Sequence, residues 1–440
     1  MLGPLLKAVS KPGCWHENLD RGLRGFVRQR VLKRLLKPRP MSEPTSDARW
    51  TGLADELARR ETEGLRRARR VVRRLPGGRC EVEGRELLNA ASNDYLGLAD
   101  DARLAEAAVL AAREGGVGAG ASPLVSGRSA WTARAEDALA RFEGTEAAVL
   151  FPSGYAANLG VLSALVDGGD VVFGDRLNHA CLVDGVRLSG ARLRVFRHDD
   201  LETLRRELRK ADGPGRRWIV TDGVFGMDGH LAPLTQLCDI AEEFGAEVIV
   251  DEAHGTGVFG ANGRGACEEA GVEHRVAVRV GTLSKAFGCQ GGFVAGPAVL
   301  VDWLWNSART QMFSTALAVP VCGAIARAVE IAEAEPERRQ HLRRLSRDFR
   351  GQLQEEGLSV PGHPECPIVP VLVGEPDDAV AAGRRLERAG FLAATIRPPT
   401  VPRGTSRLRI SLSALFTDAD IAKLAAAVLD AVPRCNAEGA

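Results

Sequence analysis

The 440-residue chain lacks a net charge worth the name, paired cysteines and any long apolar run, and each absence removes a class of function. Lysine and arginine number 58 against 57 acids, so the chain as a whole offers neither the basic excess of a nucleic-acid binder nor a charged surface for a membrane. The nine cysteines are odd in number and none is spaced CxxC. That pattern points to reduced thiols in a cytoplasmic setting rather than to disulfides or zinc. No stretch of about 18 uninterrupted apolar residues occurs, so no membrane span is expected. What is left, 45% apolar and 26% charged, is ordinary for a soluble enzyme of about two to three domain-sized units.

The first 40 residues depart from that balance. Ten lysines and arginines face only Glu17 and Asp20, and Phe26, Val27, Val31, Leu32, Leu35 and Leu36 are interleaved with them. This is the pattern of a basic amphipathic helix at a surface, or of a targeting peptide. Pro38, Pro40 and Pro44 follow, and Met41-Ser42-Glu43 reads like a natural start. Residues 1–48 are therefore set apart as a basic extension, disordered or dispensable, outside the fold.

From Thr51 to Arg74, Leu53, Leu57, Leu65 and Val71 recur among arginines, which predicts an amphipathic helix. With the strand-like Glu86–Leu88 it makes an N-terminal segment, residues 49–90. Apolar runs at Ala147–Phe151, Val171–Phe173, Leu193–Phe196, Trp218–Thr221, Val248–Val250, Val278–Val280 and Gly292–Ala295 then alternate with helical patterns such as Leu201–Leu208. That rhythm predicts an α/β fold, with a large, mostly parallel sheet covered on both faces over residues 91–335. Between Gly115 and Gly127 a glycine-rich loop allows positive φ and close backbone approach, as a ligand wall would need. Beyond residue 336 the pattern becomes Leu342, Leu345, Phe349 and Leu353 at helical spacing, then strands at Ile368–Val373 and Arg407–Leu412. Thr417 and Asp420 form a capping-box signature before a last helix. Residues 336–433 are expected to form a smaller α+β domain.

The chemistry centres on Val280-Gly281-Thr282-Leu283-Ser284-Lys285, an apolar run that breaks into a lysine. Thirty-four positions earlier, Val248–Val250 ends in Asp251-Glu252-Ala253-His254. An amine, an acid and a histidine delivered by two strand ends suit pyridoxal phosphate, where a lysine carries the cofactor as a Schiff base and a carboxylate pairs with the pyridinium nitrogen. A lone strand-end lysine is otherwise a solvated residue and a lone aspartate a helix cap; it is their occurrence together that carries the reading. Ser153-Gly154-Tyr155 follows a strand and opens a helix, so its amides would face an anion such as the cofactor phosphate, unless it is a plain strand-to-helix turn. His179 lies near another strand end, placed to stack on the ring and orient a substrate carboxylate. His254 could bond the phenolic oxygen or cap a helix. Thr282 could hold the phosphate or be a strand residue. Arg397-Pro-Pro-Thr400-Val-Pro-Arg403 joins a stiff loop to a guanidinium fork suited to a carboxylate.

With these residues in view, the chain from about Leu53 onward resembles the α-oxoamine synthases, fold-type I pyridoxal phosphate enzymes that condense an amino acid with an acyl thioester and lose carbon dioxide. The shared motifs are Ser92-Asn93-Asp94-Tyr95-Leu96-Gly97, Val125-Ser126-Gly127, Gly223-Val224-Phe225 with Met227-Asp228-Gly229, Asp251–Gly255, Gly281–Lys285 and Phe313-Ser314-Thr315. The resemblance implies that Lys285 forms the Schiff base and moves protons at the substrate α-carbon, that Asp251 pairs with the ring nitrogen and that His179 stacks on the ring. It further implies cofactor contacts from Gly154, Tyr155, His254 and Thr282, and substrate contacts from Arg66, with Arg67 one register away, and from His179, Thr400 and Arg397. It also implies a homodimer in which Ser314 and Thr315 reach the neighbour's phosphate. Ala394–Thr405 looks most like the member that joins L-alanine to a pimeloyl thioester, carried on coenzyme A or acyl-carrier protein, in biotin synthesis. Sister enzymes using glycine or serine, and an aminotransferase on the same fold, are the rivals; a pseudo-enzyme would not keep the lysine, acid and histidine together. Two positions depart from the family pattern: Gly226 stands where serine is common, and Arg128 where tyrosine or threonine is usual.

Overall fold

A computed structural model describes residues 48–211 and 213–432; the basic extension predicted for residues 1–48 lies, but for Ala48, outside them. The chain divides into two units, one ending at Arg66 and one beginning at Arg67. In the first, the helix predicted to run to Arg74 stops at Thr62. Gly64 takes φ +65°, its amide donates to Glu61 O and that of Leu65 to Arg60 O. This glycine-based cap satisfies the last carbonyls and turns the chain out of the helix, a stop signal that the leucine spacing hides.

In the second unit the predicted apolar runs all become strands of one seven-stranded sheet. These are β4 (Ala147–Phe151), β5 (Val171–Asp175), β6 (Arg192–Phe196), β7 (Arg217–Asp222), β8 (Glu247–Asp251), β9 (Val278–Thr282) and β10 (Gly292–Gly296), in the order β4-β10-β9-β8-β7-β5-β6. The strands from β9 to β6 are parallel, and β10 runs antiparallel to both neighbours. Because side chains alternate along a strand, Val248 and Val250 of β8 enter one core and Ile249 the other. The second core is closed by the helices Gly154–Leu165, Ala180–Ser189 and Ala298–Ser307, and the first by helices including Ala130–Glu143, Leu201–Arg209 and Leu234–Phe244. Burial on both faces explains why the inner strands read as continuous apolar runs; the edge strand β6 is partly exposed.

Two smaller sheets complete the unit. The hairpin strands β1 (Val72–Leu75), β2 (Arg79–Val82) and β3 (Arg85–Asn89) are extended by β12 (Phe391–Leu392), parallel to β3. β11 (Ile368–Gly374), β14 (Ser406–Ser411) and β13 (Ala394–Ile396) form an antiparallel sheet. The capping box is present: Thr417 Oγ1 accepts from Asp420 N at 3.1 Å and the Asp420 carboxylate accepts from Thr417 N at 3.0 Å, opening the helix Asp418–Ala431. No described helix is long and apolar enough to cross a membrane.

Candidate active site

Parallel strands end together at one edge of the sheet, which is where ligands bind in open α/β folds. Asp222 and Asp251 are the last residues of β7 and β8 and are register partners. Thr282 ends β9 and Lys285 follows three residues later. The helices after β4 and β5 begin at the same edge, bringing Gly154 and His179 to it.

Asp251 is buried, and its carboxylate is held from two sides. Oδ1 accepts from Ala253 N at 2.8 Å, and Oδ2 accepts from Asn158 Nδ2 at 2.8 Å and from the Cys181 thiol at 3.7 Å. Converging donors suit an ionised carboxylate. Two like charges on adjacent strand ends are costly, and Asp222 absorbs the conflict. Burial first, and then the Asp251 charge, push its pKa well above the carboxylate range. Asp222 Oδ2 still accepts from His179 N at 2.7 Å, fixing the backbone beneath that imidazole.

Lys285 is half-buried, and none of the described residues hydrogen-bonds its amine. Burial lowers its pKa from 10.5 to about 8; Asp251 and Asp222 oppose the shift and Arg409 adds to it. A buried amine poised near neutrality is a base and a nucleophile rather than a surface charge. His179 caps its helix through Nδ1, which accepts from Cys181 N at 3.3 Å and lies 2.9 Å from Cys181 Sγ. Partial withdrawal from water lowers its pKa; Asp251 opposes this and Lys285 reinforces it. His254 is buried with Nδ1 2.7 Å from Tyr95 OH. Burial, then the charges of Lys285, Arg409 and His179, hold its pKa well below the usual range, so the imidazole is neutral.

The backbone around Gly154 forms a cradle. A Cβ on Gly292 would lie 2.6 Å from Ser153 O and 2.7 Å from Gly154 N, and one on Gly154 would lie 3.0 Å from Thr282 Oγ1. The first helical amides, those of Gly154 and Tyr155, have no intrahelical acceptors, while the Thr282 and Ser284 hydroxyls reach Gly291 O at 3.1 and 3.3 Å. Small residues, free amides and hydroxyls at a helix start fit a phosphate. Together with a buried carboxylate, a ring-bearing side chain and a free amine, the residues present fit pyridoxal phosphate.

Other predicted residues fall elsewhere. Ser314 is half-buried; Thr315 lines a small cavity with Pro123, Glu136 and Gln311. Arg397 and Thr400 lie in the loop between β13 and β14, and Thr400 Oγ1 accepts from Arg67 Nη2 at 3.1 Å. Arg66 pairs with Glu61 at 3.1 Å. The two departures from the family pattern have local causes. A Cβ on Gly226 would lie 2.5 Å from His254 Nε2, so the imidazole fills the place a side chain would take. Arg128 grips the buried Glu136 at 2.8 Å.

The sequence reading missed Asn158, Asp222 and Arg409. Arg409 is a buried arginine in β14 whose Nε donates to Gly226 O at 2.6 Å and whose Nη1 donates to Asn93 Oδ1 at 3.1 Å and Ser411 Oγ at 2.7 Å. Its charge also bears on the Tyr95 hydroxyl, with which it shares a hydrogen bond. The available signal was Arg407 and Arg409 alternating inside an otherwise apolar strand, where buried charge needs a reason.

The chain belongs to the family described as aminotransferase class I and II, which matches residues 85–428, and its fold is that of the fold-type I pyridoxal phosphate-dependent transferases. Within that class its sequence is similar to 8-amino-7-oxononanoate synthases. It is 48% identical to that of Alkalilimnicola ehrlichii over 379 residues, which is 86% of this chain and 96% of the relative. Identity to the Geobacter sulfurreducens enzyme of the same name is also 48%, with the same coverage. Among solved structures, Sphingomonas wittichii serine palmitoyltransferase superposes with a TM-score of 0.83 at 31% identity, covering 89% of this chain and all of that one. The Francisella tularensis 8-amino-7-oxononanoate synthase gives 0.68 at 27% identity, covering 78% and 97%.

Proposed function

We propose that the protein condenses L-alanine with a pimeloyl thioester, releasing carbon dioxide and the thiol carrier to give 8-amino-7-oxononanoate for biotin synthesis. The observation that carries this reading is the amine of Lys285 set beside Asp251 and His179 in a chain that is 48% identical to synthases of that name. The enzyme is an acyltransferase that uses pyridoxal 5'-phosphate. When bound, that cofactor supplies an electron sink that makes the α-carbon of an amino acid acidic and nucleophilic.

The protein's own part is to hold groups and move protons. Lys285 carries the cofactor and, once displaced by the substrate amine, takes the proton from the α-carbon and later returns it. A pKa of about 8 suits both directions near neutral pH. Asp251 keeps the ring nitrogen protonated, and His179 covers one ring face. His254, held at Nδ1 by the Tyr95 hydroxyl at 2.7 Å, turns Nε2 toward the phenolic oxygen. Gly154, Tyr155 and Thr282 hold the phosphate, joined in a homodimer by Ser314 and Thr315 of the neighbouring subunit. The Arg409 guanidinium suits the amino-acid carboxylate. His179, Arg397 and Thr400 contact substrate, with Arg67 holding the Thr400 hydroxyl. The enzyme works in the cytoplasm.

The test is thiol release from pimeloyl-coenzyme A, and separately from the acyl-carrier protein thioester, with L-alanine, glycine or L-serine and with Lys285→Ala as control. Alanine-dependent release with product of the expected mass supports the reading. Release with serine and a long-chain thioester supports the second one, which the 0.83 superposition on serine palmitoyltransferase favours.

A further inference from the structure

Asn158 sits in the second turn of the helix Gly154–Leu165 and is 1% exposed. Its amide nitrogen makes two bonds. One goes to Gly154 O at 3.2 Å, at the helix start, and the other to Asp251 Oδ2 at 2.8 Å, at the end of β8. Its carbonyl, Oδ1, is buried and has no partner among the described residues. Exchanging the amide ends would aim that oxygen at a carboxylate, so the orientation is settled by the charge it faces. The helix neighbours Ala157, Val161 and Leu162 belong to the apolar core, where an amide with half its hydrogen-bonding capacity unmet is a liability. Residues that break local packing logic in this way concentrate at functional sites.

The other donors to Asp251 do not do the same job. Ala253 N is two residues along the same chain, and the Cys181 thiol stands at 3.7 Å. Neither ties the carboxylate to the helix start at Gly154. Asn158 bridges the two places that would receive opposite ends of one cofactor, the ring nitrogen at Asp251 and the phosphate at Gly154. We propose that Asn158 is a positioning residue. It aims the Asp251 carboxylate at the ring nitrogen and locks that aim to the phosphate cradle. The proposal rests on the cofactor reading above.

The test uses the full chain stripped of cofactor and titrated with pyridoxal phosphate, reading the visible absorption band and its dependence on pH. Asn158→Ala removes the donor; Asn158→Asp keeps the shape and replaces the donor with an acceptor. Both should weaken cofactor affinity by about tenfold or more, the usual loss when a donor to a charged group goes. Both should also raise the pH midpoint of the band by about half a unit or more, because a ring nitrogen with less positive charge leaves the lysine-linked nitrogen more basic. A purely structural residue would not move that midpoint. Affinity within twofold of the parent and an unmoved midpoint in either folded variant would overturn the proposal, as would failure of both variants to fold, which would assign Asn158 to structure alone. If the parent chain itself develops no band, the cofactor reading falls and this proposal with it.

Discussion

Replacing Lys285 with methionine should abolish activity and yet stabilise the cofactor-free protein. The lysine's fall from 10.5 to about 8 corresponds to about 3.4 kcal/mol at 1.36 kcal/mol per pH unit. Since Lys285 is only half-buried, water recovers part of that, and a stability gain of about 2 kcal/mol at pH 7 is expected for Lys285→Met. The sign follows from proton counts. Between pH 8 and 10.5 the unfolded chain binds more protons at this site than the folded one, so the parent protein gains stability as pH rises through that window and carries the whole penalty below it. The advantage of the methionine variant should therefore shrink to below about 1 kcal/mol by pH 10. Equilibrium urea unfolding of both cofactor-free proteins at pH 7 and pH 10 measures this. Equal stability at pH 7, or an advantage that widens with pH, would refute the claim that withdrawal from water makes the Lys285 ammonium costly in the folded protein.

Arg128→Ala should leave Glu136, 7% exposed, with only the Leu150 amide at 3.4 Å. Since the arginine is 44% exposed, the loss should be about 1–2 kcal/mol rather than the 3–5 of a fully buried pair. Burial already raises the Glu136 pKa against the pull of Arg128. Without the arginine it rises further, so the folded state binds more protons than the unfolded one and the deficit should be larger at pH 8 than at pH 5; a deficit that grows on acidification in thermal melts would contradict the pairing. Gly226→Ser forces a Cβ to within 2.5 Å of His254 Nε2, which must shift and strain its 2.7 Å bond to Tyr95. A cost of about 1–3 kcal/mol and weaker cofactor binding are expected, and unchanged melting and affinity would show that the imidazole moves freely. Arg409→Lys gives up the guanidinium fork, so KM for L-alanine should rise roughly tenfold or more while protein yield holds; an unaltered KM would remove Arg409 from substrate binding.

Much of this protein was legible in order along the chain. Six of the seven apolar runs are strands largely buried on both faces, the edge strand β6 being partly exposed, and a residue that follows such a run lands at the carboxyl edge of the sheet whatever its neighbours are. Lys285, Asp251, His179 and His254 could be named for that reason: their place depends on short-range periodicity and on the rule that parallel strands end together. Likewise the capping box at Thr417 needs only a residue three positions away.

What only the tertiary structure decided are pairings between residues far apart in sequence. Asn158 meets Asp251 across 93 positions, Tyr95 meets His254 across 159, and Arg409 meets Asn93 across 316. No periodicity encodes such a contact, since it depends on strand order and on how the last antiparallel sheet, β11-β14-β13, presents β14 to the turn at Gly226. The raised pKa of Asp222 belongs here too. Its sequence neighbours say nothing of Asp251, and it is the register between β7 and β8 that sets two carboxyls side by side. The sequence by itself determined which chemical groups reach the sheet edge. The folded chain decided which way their pKa values move, because the pKa of a buried group is set by the neighbours that topology supplies.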